Sequence, residues 1–128
     1  MLGVDGRKMS KFIVLIWCHF VGDFLLQPRI IAENKLKNYV YLIYHCLLYT
    51  LCLAPFGVLL FMFLNGVAHF IIDFVTSKIT SSLWEDYELC KKCDSDHSFY
   101  LFFTVIGLDQ VLHLTCLILL GGYFKLWV

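Results

Sequence analysis

The 128-residue chain is 60% hydrophobic and 16% charged, with a mean hydropathy of +0.77, whereas soluble domains are about 45–50% apolar. A domain of this size cannot enclose that much apolar surface in its own core, so the composition argues against a soluble globular fold and for a bilayer as solvent. The formal net charge is zero, which argues against a nucleic-acid partner.

Arg7, Lys8 and Lys11 precede the first apolar run, residues 12–26, as the basic region of a signal peptide would. No small-x-small cleavage site follows, and the run carries His19 and Asp23, so it reads as a retained first span. Gln27-Pro28-Arg29 closes it, because proline ends or kinks a helix. Residues 29–38 are polar and read as a short amphipathic connection. The second run covers residues 39–53, Ala54-Pro55-Phe56-Gly57 is a turn signal, and the third run covers residues 58–75. The 37 residues from 39 to 75 are too many for one span of about 20, so two spans joined by a tight hairpin are expected.

Residues 77–98 form a polar stretch, expected as a loop. The fourth run, residues 99–120, leads into a Gly121-Gly122 pair and an aromatic, basic tail suited to the membrane interface. The expected fold is therefore all-α: a single integral-membrane domain over residues 1–128, a polytopic bundle of about four transmembrane helices. Both termini then share one side. The two charged connections carry six Lys/Arg against four elsewhere, which leans toward cytoplasmic loops.

Of the six cysteines, Cys18, Cys46, Cys52 and Cys116 lie in apolar runs and read as small hydrophobes. Cys90 and Cys93, with His97, form a CxxCxxxH that can bind zinc. A lone CxxC lacks the second half of a zinc module, and a flexible polar loop is the simpler reading.

The spans hold residues that a bilayer penalises. A charge at mid-span costs roughly 2.5–3.5 kcal/mol on insertion scales. His19 and Asp23 form an HxxxD pair in the first span, His69 and Asp73 repeat it in the third, and Asp109 and His113 reverse it in the fourth. His45 lies in the second. Residues four apart share a helix face, so each span has one polar stripe, and the stable arrangement turns all the stripes inward. By connectivity, His19, Asp23, His45, His69 and Asp73 fall toward one membrane face. Asp109 and His113 lie deeper, and meet the others only if the last helix begins early or the pocket reaches mid-membrane.

Four imidazoles and three carboxylates together suit a divalent ion, zinc, manganese or iron, with enough ligands for one or two. The expected metal ligands are His19, Asp23, His69, Asp73 and His113. Asp109 is a ligand or the base for an attacking water, and His45 a ligand or an electrophilic aid. Each pair taken singly also reads as ordinary hydrogen bonding between helices. Gln27, Asn65 and Gln110 are expected as supporting polar partners, and Gly22 and Gly66 as points of close helix approach. The P-loop, GxGxxG and GxSxG motifs are absent from the sequence.

The strings HFVGDFLLQ, NGVAHFIIDFVTSKI and LDQVLHL resemble an uncharacterised family of small phage and bacterial membrane proteins, catalogued as a domain of unknown function. The family pattern H-x-x-G-D-F-x-L-Q falls on His19, Gly22, Asp23, Phe24, Leu26 and Gln27. Its later motifs fall on His45, on His69 with Asp73, and on Asp109, Gln110 and His113. The resemblance runs from about residue 12 to 120 and leaves out the polar stretch with Cys90 and Cys93. It implies a bacterial inner-membrane protein and supplies no activity. A looser similarity to membrane-bound metal-dependent hydrolases is one of fold-level analogy.

Three functions follow from the residues. The first is a metal-dependent hydrolase acting on a phosphoester or ester at the membrane surface. The second is a non-enzymatic protein whose His/Asp set binds a structural metal or joins helices, and whose partner is a host membrane protein. The third is a path for protons or metal ions, which in so small a chain calls for a homo-oligomer.

Overall fold

The computed structural model describes residues 6–35, 37–89 and 96–126, with no strand among them. Helix α1 (Gly6–Phe20) continues into a π-helical turn, Val21–Leu25. Pro28 then introduces a short helix, α2 (Arg29–Asn34). Asn38 caps α3 (Tyr39–Cys52), its side chain accepting a hydrogen bond from the Val40 amide at 2.9 Å. The expected hairpin is a 3-10 turn at Ala54–Phe56 closed by Gly57, whose φ of 67° is a left-handed conformation that suits glycine. Helices α4 (Leu59–Leu89) and α5 (Asp96–Tyr123) follow and form the most extensive helix pair.

Three helical segments are long and apolar enough to cross a membrane: Tyr39–Phe56, Leu59–Leu89 and Phe99–Tyr123. Their outward surface is greasy, with Val40, Leu51, Leu59, Phe63 and Leu119 all exposed. Such a surface is stable against lipid tails and costly in water.

The expectation of a loop from residue 77 is corrected. Helix α4 runs on through that polar stretch to Leu89, since Ser77 to Glu88 contain neither proline nor glycine to stop it. Its 31 residues make about 46 Å, well beyond an apolar layer of about 30 Å. The acidic residues Glu85, Asp86 and Glu88 lie in its last turns. Cys90 and Cys93 lie outside the described residues, and His97 is exposed.

The interior is layered. On the hairpin side, Leu15, Tyr49, Leu53, Phe61, Met62 and Leu117 form a buried apolar cluster drawn from α1, α3, α4 and α5. One helical turn along, the same faces carry His19, His45, Asn65 and His113. The four-residue offsets 15/19, 45/49, 61/65 and 113/117 keep each face pointed inward. Close approach requires glycine at two points. A Cβ on Gly22 would lie 3.1 Å from the Tyr49 ring, and one on Gly66 would collide with the Thr50 hydroxyl.

Candidate metal centre

The polar layer is built from both helix ends and helix middles. His19 closes α1, and Asp23 sits in the π turn that follows it. There the Leu26 amide donates to the Val21 carbonyl at 2.9 Å, five residues back. A π turn widens the helix, and the His19 and Asp23 side chains lie 4.0 Å apart across it. Asp23 also faces α3, with Oδ1 3.1 Å from His45 Nε2.

Helix α4 supplies His69 and Asp73, and α5 supplies Asp109 and His113. The pairs meet because α4 is long. Sixteen residues separate Asp73 from Leu89, and thirteen separate Asp96 from Asp109, so the two antiparallel legs nearly match. Asp109 therefore returns to the level of Asp73, and its Oδ1 accepts from the Thr76 hydroxyl at 2.6 Å.

His19, Asp23, His45, His69, Asp73 and His113 are all buried, each no more than 5% exposed, and Asp109 is half-buried. Four donor atoms converge: His45 Nε2, His69 Nε2, Asp23 Oδ1 and Asp73 Oδ2. The two nitrogens are 3.0 Å apart. His45 lies 3.1 Å from Asp23 and 3.3 Å from Asp73, and His69 lies 3.4 and 3.6 Å from the same oxygens. Five of the six separations within the set are thus 3.0–3.6 Å, and all lie within 4.8 Å, close enough for one ion with bonds of about 2.0–2.2 Å to draw the four atoms around itself.

Charge favours the same occupant. Three carboxylates face one ammonium, Lys35, whose Nζ is 3.3 Å from Asp73 Oδ2. With the imidazoles neutral, the formal charge of the chamber is about minus two, which favours divalent cations there; buried charge without compensation is costly.

Other side chains brace the set. The Tyr49 ring stacks on His69 at 3.9 Å between centroids, and His69 stacks on His113 at 4.1 Å. The Tyr49 hydroxyl is 3.3 Å from His19 Nδ1. The Gln110 amide donates to Asp23 Oδ2 at 2.9 Å and to Asp109 Oδ2 at 3.1 Å, while its carbonyl oxygen lies 3.1 Å from His19 Nε2. Gln27 accepts from Lys35 at 3.1 Å. Asn65, expected as a partner for His69, instead donates to the Phe61 carbonyl of its own helix at 2.9 Å, the local bond its amide reaches most easily.

Tyr49, Thr76 and Lys35 were not singled out from the sequence. Tyr49 is four residues after His45, and Thr76 is three after Asp73, so helical spacing marks them once the polar faces are known. Nothing in the pattern marks Lys35.

A cavity of about 720 Å³ opens against this layer. Asp23, Asp73 and Asp109 line it, as does Lys35, and it runs between α4 and α5 to the rings of Trp84 and Phe102.

Residues 11–127 match the model of a family described as protein of unknown function, DUF3307. No curated protein and no solved structure matches the chain.

Proposed function

This chain belongs to the DUF3307 family, and we propose that it is an integral membrane protein that binds a divalent metal ion and hydrolyses a phosphoester or ester at the membrane surface. The observation that carries the reading is the buried four-donor set of His45, His69, Asp23 and Asp73, whose ligand atoms converge within 4.8 Å of one another and are of the types that bind zinc. In this reading α1 and its π turn, 20 residues of continuous helix from Gly6 to Leu25, form the fourth span.

The cavity supports hydrolysis over a purely structural metal. Two of the four ligand residues, Asp23 and Asp73, are also cavity walls, so a substrate there reaches the edge of the centre. A bound divalent ion would acidify a water and polarise the substrate oxygen. The chain's own residues supply the rest. Lys35 stands at the rim, where its ammonium offsets negative charge on a substrate oxygen. Asp109 is held by Thr76 and Gln110 with its carboxylate facing the cavity, fit to ligate or to take a proton from water. Trp84 and Phe102 offer apolar surface to a lipid tail. His45, wholly buried with Nε2 in the donor set, acts as a ligand.

A second reading, a polar network that only joins helices, is favoured by Gln110, which ties α1, its π turn and α5 together with no ion. Turnover separates the two. Purified protein in detergent, loaded with zinc or manganese, is expected to hydrolyse phosphoester or carboxylic-ester substrates, to lose activity on chelation and to regain it on reloading. Metal-loaded protein that turns over neither class overturns the hydrolase.

A further inference from the structure

The first set already draws four donors from protein atoms, which is the pattern of a closed site; catalytic zinc keeps a position open. A second group of donors lies beside it. His113 is buried at 2% exposure, and neither of its ring nitrogens has a hydrogen-bond partner among the described residues. It sits between two carboxylates, Nε2 at 3.5 Å from Asp73 Oδ1 and Nδ1 at 3.5 Å from Asp109 Oδ2. A buried imidazole with no hydrogen bond on either nitrogen is costly, unless one of them binds a cation.

Asp73 faces both groups. Its Oδ2 belongs to the His45/His69 set, and its Oδ1 is the oxygen nearest His113. Asp23 repeats the pattern more loosely, with Oδ1 at 3.1 Å from His45 and Oδ2 at 3.9 Å from His113. A carboxylate that offers one oxygen to each of two neighbouring sites is a bridge, and bridged ions sit about 3.5–4 Å apart.

We propose that the centre is binuclear: a second divalent ion is bound by His113, Asp109 and the outer oxygen of Asp73, and this ion, not the first, faces the cavity. The assignment rests on the metal-dependent reading above. It selects the ligand role for Asp109. Its donors differ from those of the closed set in two respects. Asp109 is half-buried and lines the cavity, and only three protein residues contribute. Water and substrate therefore complete the coordination, as at open catalytic sites.

The test is metal content. Protein purified in detergent, stripped, reloaded with manganese and desalted, is expected to carry two ions per chain by elemental analysis. Its electron paramagnetic resonance spectrum should be that of an exchange-coupled pair. Asp109→Asn and His113→Ala should each reduce the content to one ion and leave an uncoupled signal. Asp109→Asn keeps the residue's volume and an oxygen that can accept from Thr76, losing only the bond from Gln110, so it guards against misfolding in the His113 variant. One ion in the unaltered protein, or two in Asp109→Asn, overturns the second site and leaves the first standing. No ion at all overturns both, whereas two coupled ions without turnover overturn only the hydrolase.

Discussion

Replacing Asp73 by asparagine separates a metal centre from helix glue by its effect on the zinc response. Asp73 Oδ2 is one of the four converging donors and is paired with Lys35 at 3.3 Å. In metal-free protein the substitution makes two opposing changes. It removes the ion pair with Lys35, whose side chain is 18% exposed and already bonded to Gln27. It also relieves the repulsion between Asp23 and Asp73, which both lie within 3.3 Å of His45 Nε2. The metal-free melting points should therefore differ little. With zinc the outcome changes. A structural zinc contributes about 10–16 kcal/mol of binding, or about 2.5–4 kcal/mol for each of four donors. Losing one weakens affinity by about a hundredfold to a thousandfold. At zinc one hundred times the wild-type Kd, the wild type gains about 2.7 kcal/mol of stability, whereas the variant gains at most about 0.4 kcal/mol. Thermal unfolding in detergent, with chelator and then with zinc, reads both numbers. An equal zinc response in the two proteins would refute the reasoning.

Acid should release the metal. The ligating nitrogens of His45 and His69 must be unprotonated, so affinity falls as acid protonates them, by up to about a hundredfold per pH unit for two imidazoles; a chelator competition at pH 7.5 and pH 5.5 checks this. Tyr49→Phe keeps the ring on His69 and loses only the hydroxyl contact to His19, a cost of about 0.5–1.5 kcal/mol. Tyr49→Ala empties a fully buried site at about 3–5 kcal/mol, and the two melting curves should rank in that order. Gly66→Ala drives a methyl into the Thr50 hydroxyl and should cost about 1–3 kcal/mol, with Thr50→Ala in the same chain restoring part of the loss.

The four-residue spacing of 19/23, 69/73 and 109/113 was legible because helical periodicity forces such pairs onto one face. The turn at Pro55 and Gly57 was legible for the same local reason, since proline and glycine restrict what the backbone can do there. The end of α4 was not. Polar residues after Ser77 suggested a loop, but polarity marks where a helix leaves the greasy layer, not where it stops. That error made Asp109 look too deep to join Asp73, and the extra helical turns remove the discrepancy. The π turn at Val21–Leu25 is an interior adjustment with no composition of its own, so the contact of Asp23 with His45 could not be read from spacing. Lys35 reaches Asp73 across 38 positions, and only the folded packing of α2 against α3 brings it there.

X-ray absorption at the zinc edge tests the centre most directly, because it reports donor type and distance together. Zinc-loaded protein should have a first shell of nitrogen and oxygen at about 2.0 Å, with outer-shell scattering from imidazole rings. Sulfur scattering at about 2.3 Å would assign the ion to cysteine thiolates instead of this centre, and a first shell without imidazole would remove His45 and His69 from the ligand set.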